Sequence, residues 1–277
     1  MKLIFDCGST KCSIVHLDHN DTYLKDITIE GFNPVFFSDI SQATYAHFSA
    51  PLKENFSNIE SVLYCGAGCI DAATNEAVEK GLLKIFPDSS VNIYSDLEFL
   101  GHILKIKEKS IIGILGTGSN AGLWDGKSII QNTISGGYLL GDEGSAFALG
   151  KSLLINFLRE NFSPSTQNLL KKEIGLGQIE LINKIYSSEL PNKEIASYAA
   201  ILSKIEYDPL TKDIIKECFK DYISKRIRPL AEEASTIHLF GSVAYFNQEH
   251  LKPLLEEVNL QVGIIAKGPL DLIMERS

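Results

Sequence analysis

The sequence of 277 residues has no run of about 18 apolar residues, so no segment reads as a membrane-spanning helix. It is short of positive charge: 26 Lys and Arg stand against 35 Asp and Glu, a formal net charge of -9. That deficit argues against a general nucleic-acid binder, which needs a basic surface. It does not exclude a phosphorylated ligand, which backbone amides can hold whatever the net charge. The opening residues MKLIFDCGSTKC lack the long apolar stretch of an export signal. There are only five cysteines, an odd number, which with no export signal predicts reduced thiols and a cytoplasmic protein. Cys65-x3-Cys69 has no second pair and no nearby histidine, so a metal or iron–sulfur centre is not expected there. The six histidines show no ligand spacing, and the lone Trp124 reads as packing. Neither G-x4-G-K-[ST] nor G-x-G-x-x-G occurs, so no Walker loop or dinucleotide fingerprint is present. What remains is globular composition, 44% hydrophobic and 22% charged, enough for one large domain or two smaller ones.

The chain then reads as two similar halves. Residues 3–5 and 12–17 are strand-like and joined tightly enough to be a hairpin, with a third strand over 22–29. Helix over 39–52, strand over 61–65, helix over 71–86, strand over 91–94 and helix over 97–107 follow. The pattern restarts with strands over 110–115, 121–124 and 128–130, the last two joined at Asp125-Gly126. Residues 145–234 read mostly helical, with pieces over 146–161, 166–173, 178–186, 194–203 and 209–234. A strand over 236–240, a helix over 249–257, a strand over 261–265 and a short terminal helix close the chain. Two strand–turn–strand units about a hundred residues apart predict a duplicated α/β core in two lobes. The lobes run over 1–108, with a returning helix over 268–277, and over 109–267 with a helical insertion.

Three glycine–hydroxyl turns each follow an apolar strand: Gly8-Ser9-Thr10-Lys11, Gly116-Thr117-Gly118-Ser119 and Gly241-Ser242. Glycine lets backbone amides approach an anion, and Ser or Thr adds a hydroxyl donor. Taken singly each is an ordinary tight turn; three after strands point to phosphate binding. Asp96 opens a helix after a strand, which suits an N-cap. Asn33-Pro34 is a turn signal, and Asp208-Pro209 a helix start.

Asp6-Cys7-Gly8-Ser9-Thr10-Lys11, Leu115-Gly116-Thr117-Gly118-Ser119-Asn120, Gly136-Gly137-Tyr138, Gly141-Asp142-Glu143-Gly144-Ser145 and Gly241-Ser242-Val243 occur in that order. The series resembles the BadF/BadG/BcrA/BcrD-type ATPase family and, within it, its N-acetylglucosamine kinases, over nearly the whole chain. The resemblance implies the sugar kinase/heat-shock ATPase/actin superfamily. It implies two ribonuclease-H-like lobes, each a mixed five-stranded sheet flanked by helices, closing on ATP and Mg2+. By resemblance, Asp96 is the catalytic base, and Asp6 lies near Mg2+ through water. Gly8, Ser9, Thr10, Lys11, Gly116, Thr117, Gly118, Gly241 and Ser242 hold ATP. Asn33, Asn120, Gly136, Gly137, Tyr138 and Asp142 contact the sugar; the family often has tryptophan where Tyr138 stands.

The implied activity is ATP-dependent phosphorylation of N-acetylglucosamine at its 6-hydroxyl. The partners are then small molecules, with no nucleic acid or membrane, and a homodimer is compatible. One alternative is an ATPase that activates a partner reductase or dehydratase, but that branch carries paired cluster cysteines, a pattern this sequence lacks. Another is a sugar-sensing regulator, which would usually carry a helix-turn-helix; here the sequence starts on its first phosphate strand.

Overall fold

The protein is described by a computed structural model covering residues 1–69, 71–268, 270, 272 and 273. It forms two compact units, Met1–Ile106 joined by the described residues from 270 onward, and Lys107–Gly268.

The first unit is built on strands β1 (Lys2–Cys7), β2 (Lys11–Leu17) and β3 (Tyr23–Glu30). These are followed by α1 (Ile40–Asn55), β4 (Ser61–Gly66), α2 (Ala72–Leu83), β5 (Ser90–Tyr94) and α3 (Asp96–Ile103). The sheet order is β3-β2-β1-β4-β5. β1–β2 and β2–β3 are antiparallel, whereas β1–β4 and β4–β5 are parallel. Leu3, Ile4 and Phe5 are all buried because β1 is central and covered on both faces. Phe5, Ile14, Val62 and Tyr64 pack with Phe48 and Leu52 of α1 and Val78 and Leu82 of α2. On the opposite face Ile4, Val15 and Leu17 pack with Phe99 of α3 and with Leu270 and Ile273. The rest of the sequence-predicted returning helix, residues 269, 271 and 274–277, lies outside the described residues.

The second unit repeats the plan. β6 (Ser110–Leu115), β7 (Ser119–Trp124) and β8 (Ile129–Asn132) are antiparallel neighbours. A short α4 (Gly137–Leu140) leads to α5 (Ala146–Leu158), α6 (Pro164–Ile174), α7 (Gln178–Ser187), α8 (Pro191–Ser197) and α9 (Pro209–Tyr222). Then come β9 (Thr236–Phe240), α10 (Ser242–Phe246), α11 (Gln248–Glu256) and β10 (Gln261–Ala266). The order is β10-β9-β6-β7-β8, with β9 parallel to both β6 and β10. Numbered within its own unit, each sheet therefore has the same order and the same pairing senses. The duplicated core of two mixed five-stranded α/β sheets is present.

Helix starts follow sequence chemistry. Asp39, Asp71, Ser145, Ser163 and Asp208 cap α1, α2, α5, α6 and α9 with their side chains. Two helical expectations need correction. The piece over 194–203 is α8 followed by a 3-10 stretch, Tyr198–Lys204. The piece over 209–234 is α9 only to Tyr222; it continues as a π-helical turn, Ile223–Ile227, and then breaks into turns. Its apolar residues stay periodic beyond Tyr222, so the pattern cannot show where the winding changes. Trp124 is 1% exposed and serves as packing, beside the Asp125 turn that accepts the Lys127 and Ser128 amides.

Candidate functional site

In the first unit the β1–β2 turn is closed by the Gly8 amide donating to the Lys11 carbonyl at 2.8 Å. The turn rests on the segment after β3. The Phe32 amide donates to the Gly8 carbonyl at 3.1 Å. A methyl built on Gly31 would lie 2.3 Å from that same oxygen. Asn33 Nδ2 donates to Ser9 Oγ at 3.2 Å, so two residues assigned to different ligands meet directly. The other Asn33 side-chain atom, Oδ1, accepts the Val35 amide and abuts Gly68. Asn33 thus does the turn work expected of Asn-Pro and also braces the glycine turn.

Asp6 lies on β1 with Ser13 and Cys65 as its strand partners. Its side chain reaches water but is crowded by protein, which pushes its carboxyl pKa up, while Lys11 nearby opposes the rise. Cys65 pairs across with Tyr94, and its thiol is pushed up by burial and then by the charges of Asp6 and Asp96. One cysteine therefore feels both carboxylates, which stand at the same end of β1 and β5. Asp96 is not the N-cap of α3. Ser95 Oγ accepts the Glu98 amide at 3.3 Å and Glu98 Oε2 accepts the Ser95 amide at 3.3 Å, a reciprocal capping box. That leaves Asp96 at the first helical position, exposed, with Oδ1 accepting the Leu97 amide at 2.8 Å. Cys7 and Cys12 are register partners in the buried core beneath the turn. Among the described residues no group of three or more His, Cys, Asp or Glu could hold a metal ion.

In the second unit β6 and β9 are parallel neighbours, so their carboxyl ends bring two more glycine turns side by side. A methyl on Gly241 would lie 2.2 Å from the Leu115 carbonyl oxygen. The Gly141–Ser145 loop joins them: Asp142 Oδ1 accepts the Ser119 amide at 3.1 Å, and the same carboxylate lies against Gly118. The Ala146 and Phe147 amides, at the start of α5, donate to Gly116 and Thr117 carbonyls at 2.8 and 3.2 Å. Asp142 is 9% exposed, and its backbone sits at a φ of 58°. Ser119 Oγ is buried without a hydrogen-bond partner among the described residues. Asn120 accepts the Ala121 amide on its own side chain, and its carbonyl accepts Tyr222 Oη at 3.2 Å.

Gly136 and Gly137 both have positive φ, and Gly141 donates back to the Gly137 carbonyl at 2.8 Å. Tyr138 packs edge-on against Phe147, their ring centres 5.4 Å apart. It lines an open cavity of about 610 Å³ between α4, α5 and α9. Among the sugar-assigned residues Asn120, Gly136, Gly137 and Asp142 do not line that cavity, so it is not where the motifs converge. Asp208 caps α9 and binds Ser163 at the start of α6, which accounts for Asp208-Pro209 without a ligand.

Sequence reasoning missed two residues here. Arg226, on the π-helical turn, is 3% exposed and paired to Glu143 through Nε at 2.9 Å. Tyr222 is fully buried under Gly144. A single arginine or tyrosine in a long helix carries no spacing signal; only the fold shows which way it points.

No protein-family profile and no curated protein matches the sequence. Solved structures do match. An inferred N-acetylglucosamine kinase from Porphyromonas gingivalis is 26% identical over 99% of this chain and 98% of its own, with a TM-score of 0.86. One from Chromobacterium violaceum is 17% identical over 99% and 97%, with a TM-score of 0.65. A ROK family glucokinase from Streptomyces griseus, in complex with glucose and AMPPNP, is 14% identical over 96% and 94%, with a TM-score of 0.56. The last two are likenesses of fold alone. With this duplicated architecture, the chain has the fold of the sugar kinase/heat-shock ATPase/actin superfamily, in the type that its BadF-like motifs resemble.

Proposed function

We propose that the protein is an ATP-dependent kinase that phosphorylates the 6-hydroxyl of an amino sugar, with N-acetylglucosamine as the leading substrate. The likeness to the Porphyromonas protein supports the substrate class. The observation that carries the nucleotide reading is Gly116. Its backbone φ is not in the left-handed region, and, its own chain neighbours aside, no atom of the described residues lies within 4 Å of a methyl built on it. Neither strain nor crowding demands glycine there, so the fold alone leaves it unexplained. A phosphate approaching the backbone does explain it. The exposed Thr117 beside it and the orphaned Ser119 Oγ add hydroxyls of the right chemistry.

Gly8–Lys11 supplies the first phosphate turn and Gly241-Ser242 the adenosine side. Asn33, Asn120, Gly136, Gly137, Tyr138 and Asp142 hold the sugar, with Asp142 also tying its loop to the second phosphate turn. Asp96 takes the hydroxyl proton as the sugar oxygen bonds to the γ-phosphorus and the bond to the β–γ bridging oxygen breaks, releasing ADP. Lys11 offsets charge on the phosphates. A lone Asp6 fits a hydrated Mg2+ held chiefly by phosphate oxygens, and such an ion would neutralise charge building on the transferred group.

Gly116→Ala tests the reading. The variant should fold as well as the parent or slightly better, by about 0.4–1 kcal/mol, because alanine restricts the unfolded chain. Its KM for ATP should rise about tenfold or more, since the methyl stands where phosphate must approach. An unchanged ATP KM would remove this turn from the phosphate site. ATP consumption against a panel of hexosamines, with the product phosphate located by NMR, identifies the sugar; no turnover with any of them defeats the kinase reading.

A further inference from the structure

β8 ends at Asn132, so the carbonyls that follow have no ladder partner. Arg226 takes them up. Its Nη1 donates to the Thr133 and Ile134 carbonyls and its Nη2 to the Ser135 carbonyl, while Nε holds Glu143. The two ends of one loop therefore meet on a single guanidinium. Gly141 shows how tightly they meet: a methyl there would lie 1.9 Å from the Ser135 oxygen and 2.7 Å from Arg226 Nη2. Between these ends sit Gly136, Gly137 and Tyr138. Next to Glu143 is Asp142, turned the other way onto the Ser119 amide. The charges facing Glu143 are Arg226 and, at 3.9 Å, Lys225, which also pairs with Asp221. A guanidinium suits this work because its donors are fixed in a plane; an ammonium offers three donors from one point.

We propose that Arg226 is a positioning residue for sugar recognition: it fastens residues 133–143 in the sugar-binding arrangement and sets sugar affinity without touching the sugar. This rests on the sugar-kinase reading for its kinetic test but not for its structural one. Arg226→Lys and Glu143→Gln are compared with the parent in two measurements. The first is amide hydrogen exchange without ligand, in which residues 133–143 should exchange faster in Arg226→Lys and less so in Glu143→Gln, where the carbonyl bonds remain. The second is steady-state kinetics with N-acetylglucosamine and ATP. Arg226→Lys should raise the sugar KM about tenfold, the weight of one charged hydrogen bond. Its kcat and its KM for ATP should stay within about threefold of the parent. Unchanged exchange over 133–143 in both variants overturns the proposal. So does a loss of stability that lowers kcat and moves both KM values together, which would make Arg226 merely structural. If the parent turns over no hexosamine, the functional reading fails on its own while the exchange result still decides the role of Arg226.

Discussion

Asp96 illustrates how one residue's neighbours decide what it is free to do. A capping box of Ser95 and Glu98 starts α3, so the aspartate beside it is not needed for that task. Asp96→Asn should therefore fold normally and bind ATP with parental affinity. Its kcat should fall about 10²–10⁴-fold, the usual weight of a general base. Single-turnover measurements with saturating sugar check this, and a parental rate would remove Asp96 from the mechanism. Asp6 differs because it is crowded: its carboxyl titrates above the ordinary range. The sign follows. A raised acid pKa favours the neutral form in the folded state, so Asp6 costs stability as pH rises through its folded value. A bound cation would reverse that cost.

At the scale of elements, Asp208 joins two helices. Oδ1 caps α9 by accepting the Leu210 amide at 3.0 Å, and Oδ2 accepts Ser163 Oγ at 2.8 Å at the start of α6. Burial works against its ionisation, but these hydrogen bonds win and hold its carboxyl below the ordinary value. A lowered pKa gives stability that is present above the unfolded value and lost as pH falls through the folded one. Asp208→Ala should cost about 2 kcal/mol at neutral pH. Urea unfolding of parent and variant should show that difference shrinking as the pH drops below about 4. Most elements are legible in the sequence for stated reasons. β1 carries the apolar run Leu3-Ile4-Phe5 because it is central and covered on both faces, and β3 alternates in burial because it is an edge strand with one face turned to solvent. The capped helices announce themselves by Ser or Asp before Pro or an apolar run. What stays hidden is winding and direction: α4 and α10 are too short to show a period. The π turn keeps the apolar pattern, and Arg226 looks like any surface cation until the helix turns it inward. The glycine turns are legible as turns, but only the structure separates Gly116, which nothing crowds, from Gly241, which the backbone requires.

For the whole molecule, the charge of -9 repels ATP at long range. Its association rate should therefore rise, not fall, as salt goes from about 20 to 150 mM and the Debye length shortens. Stopped-flow binding with a fluorescent ATP analogue checks the direction; a rate that falls with salt would point to a local basic field that outweighs the net charge. Chelating divalent metal should abolish turnover, and added Mg2+ should restore it. The duplication has another consequence, for solubility. Among the described residues the two open sheets end in four edge strands, β3, β5, β8 and β10, where a closed barrel has none, and an edge strand left unpaired can recruit a foreign strand. Each is blunted differently: β3 carries Lys25, Asp26 and Glu30, β8 is four residues long, β10 breaks register between Val262 and Ile265, and β5 is short with Ser90 and Asn92 exposed. Replacing Lys25 and Asp26 together with valine would turn the longest of these edges into an apolar template, and the protein would be expected to aggregate while its fold remained intact.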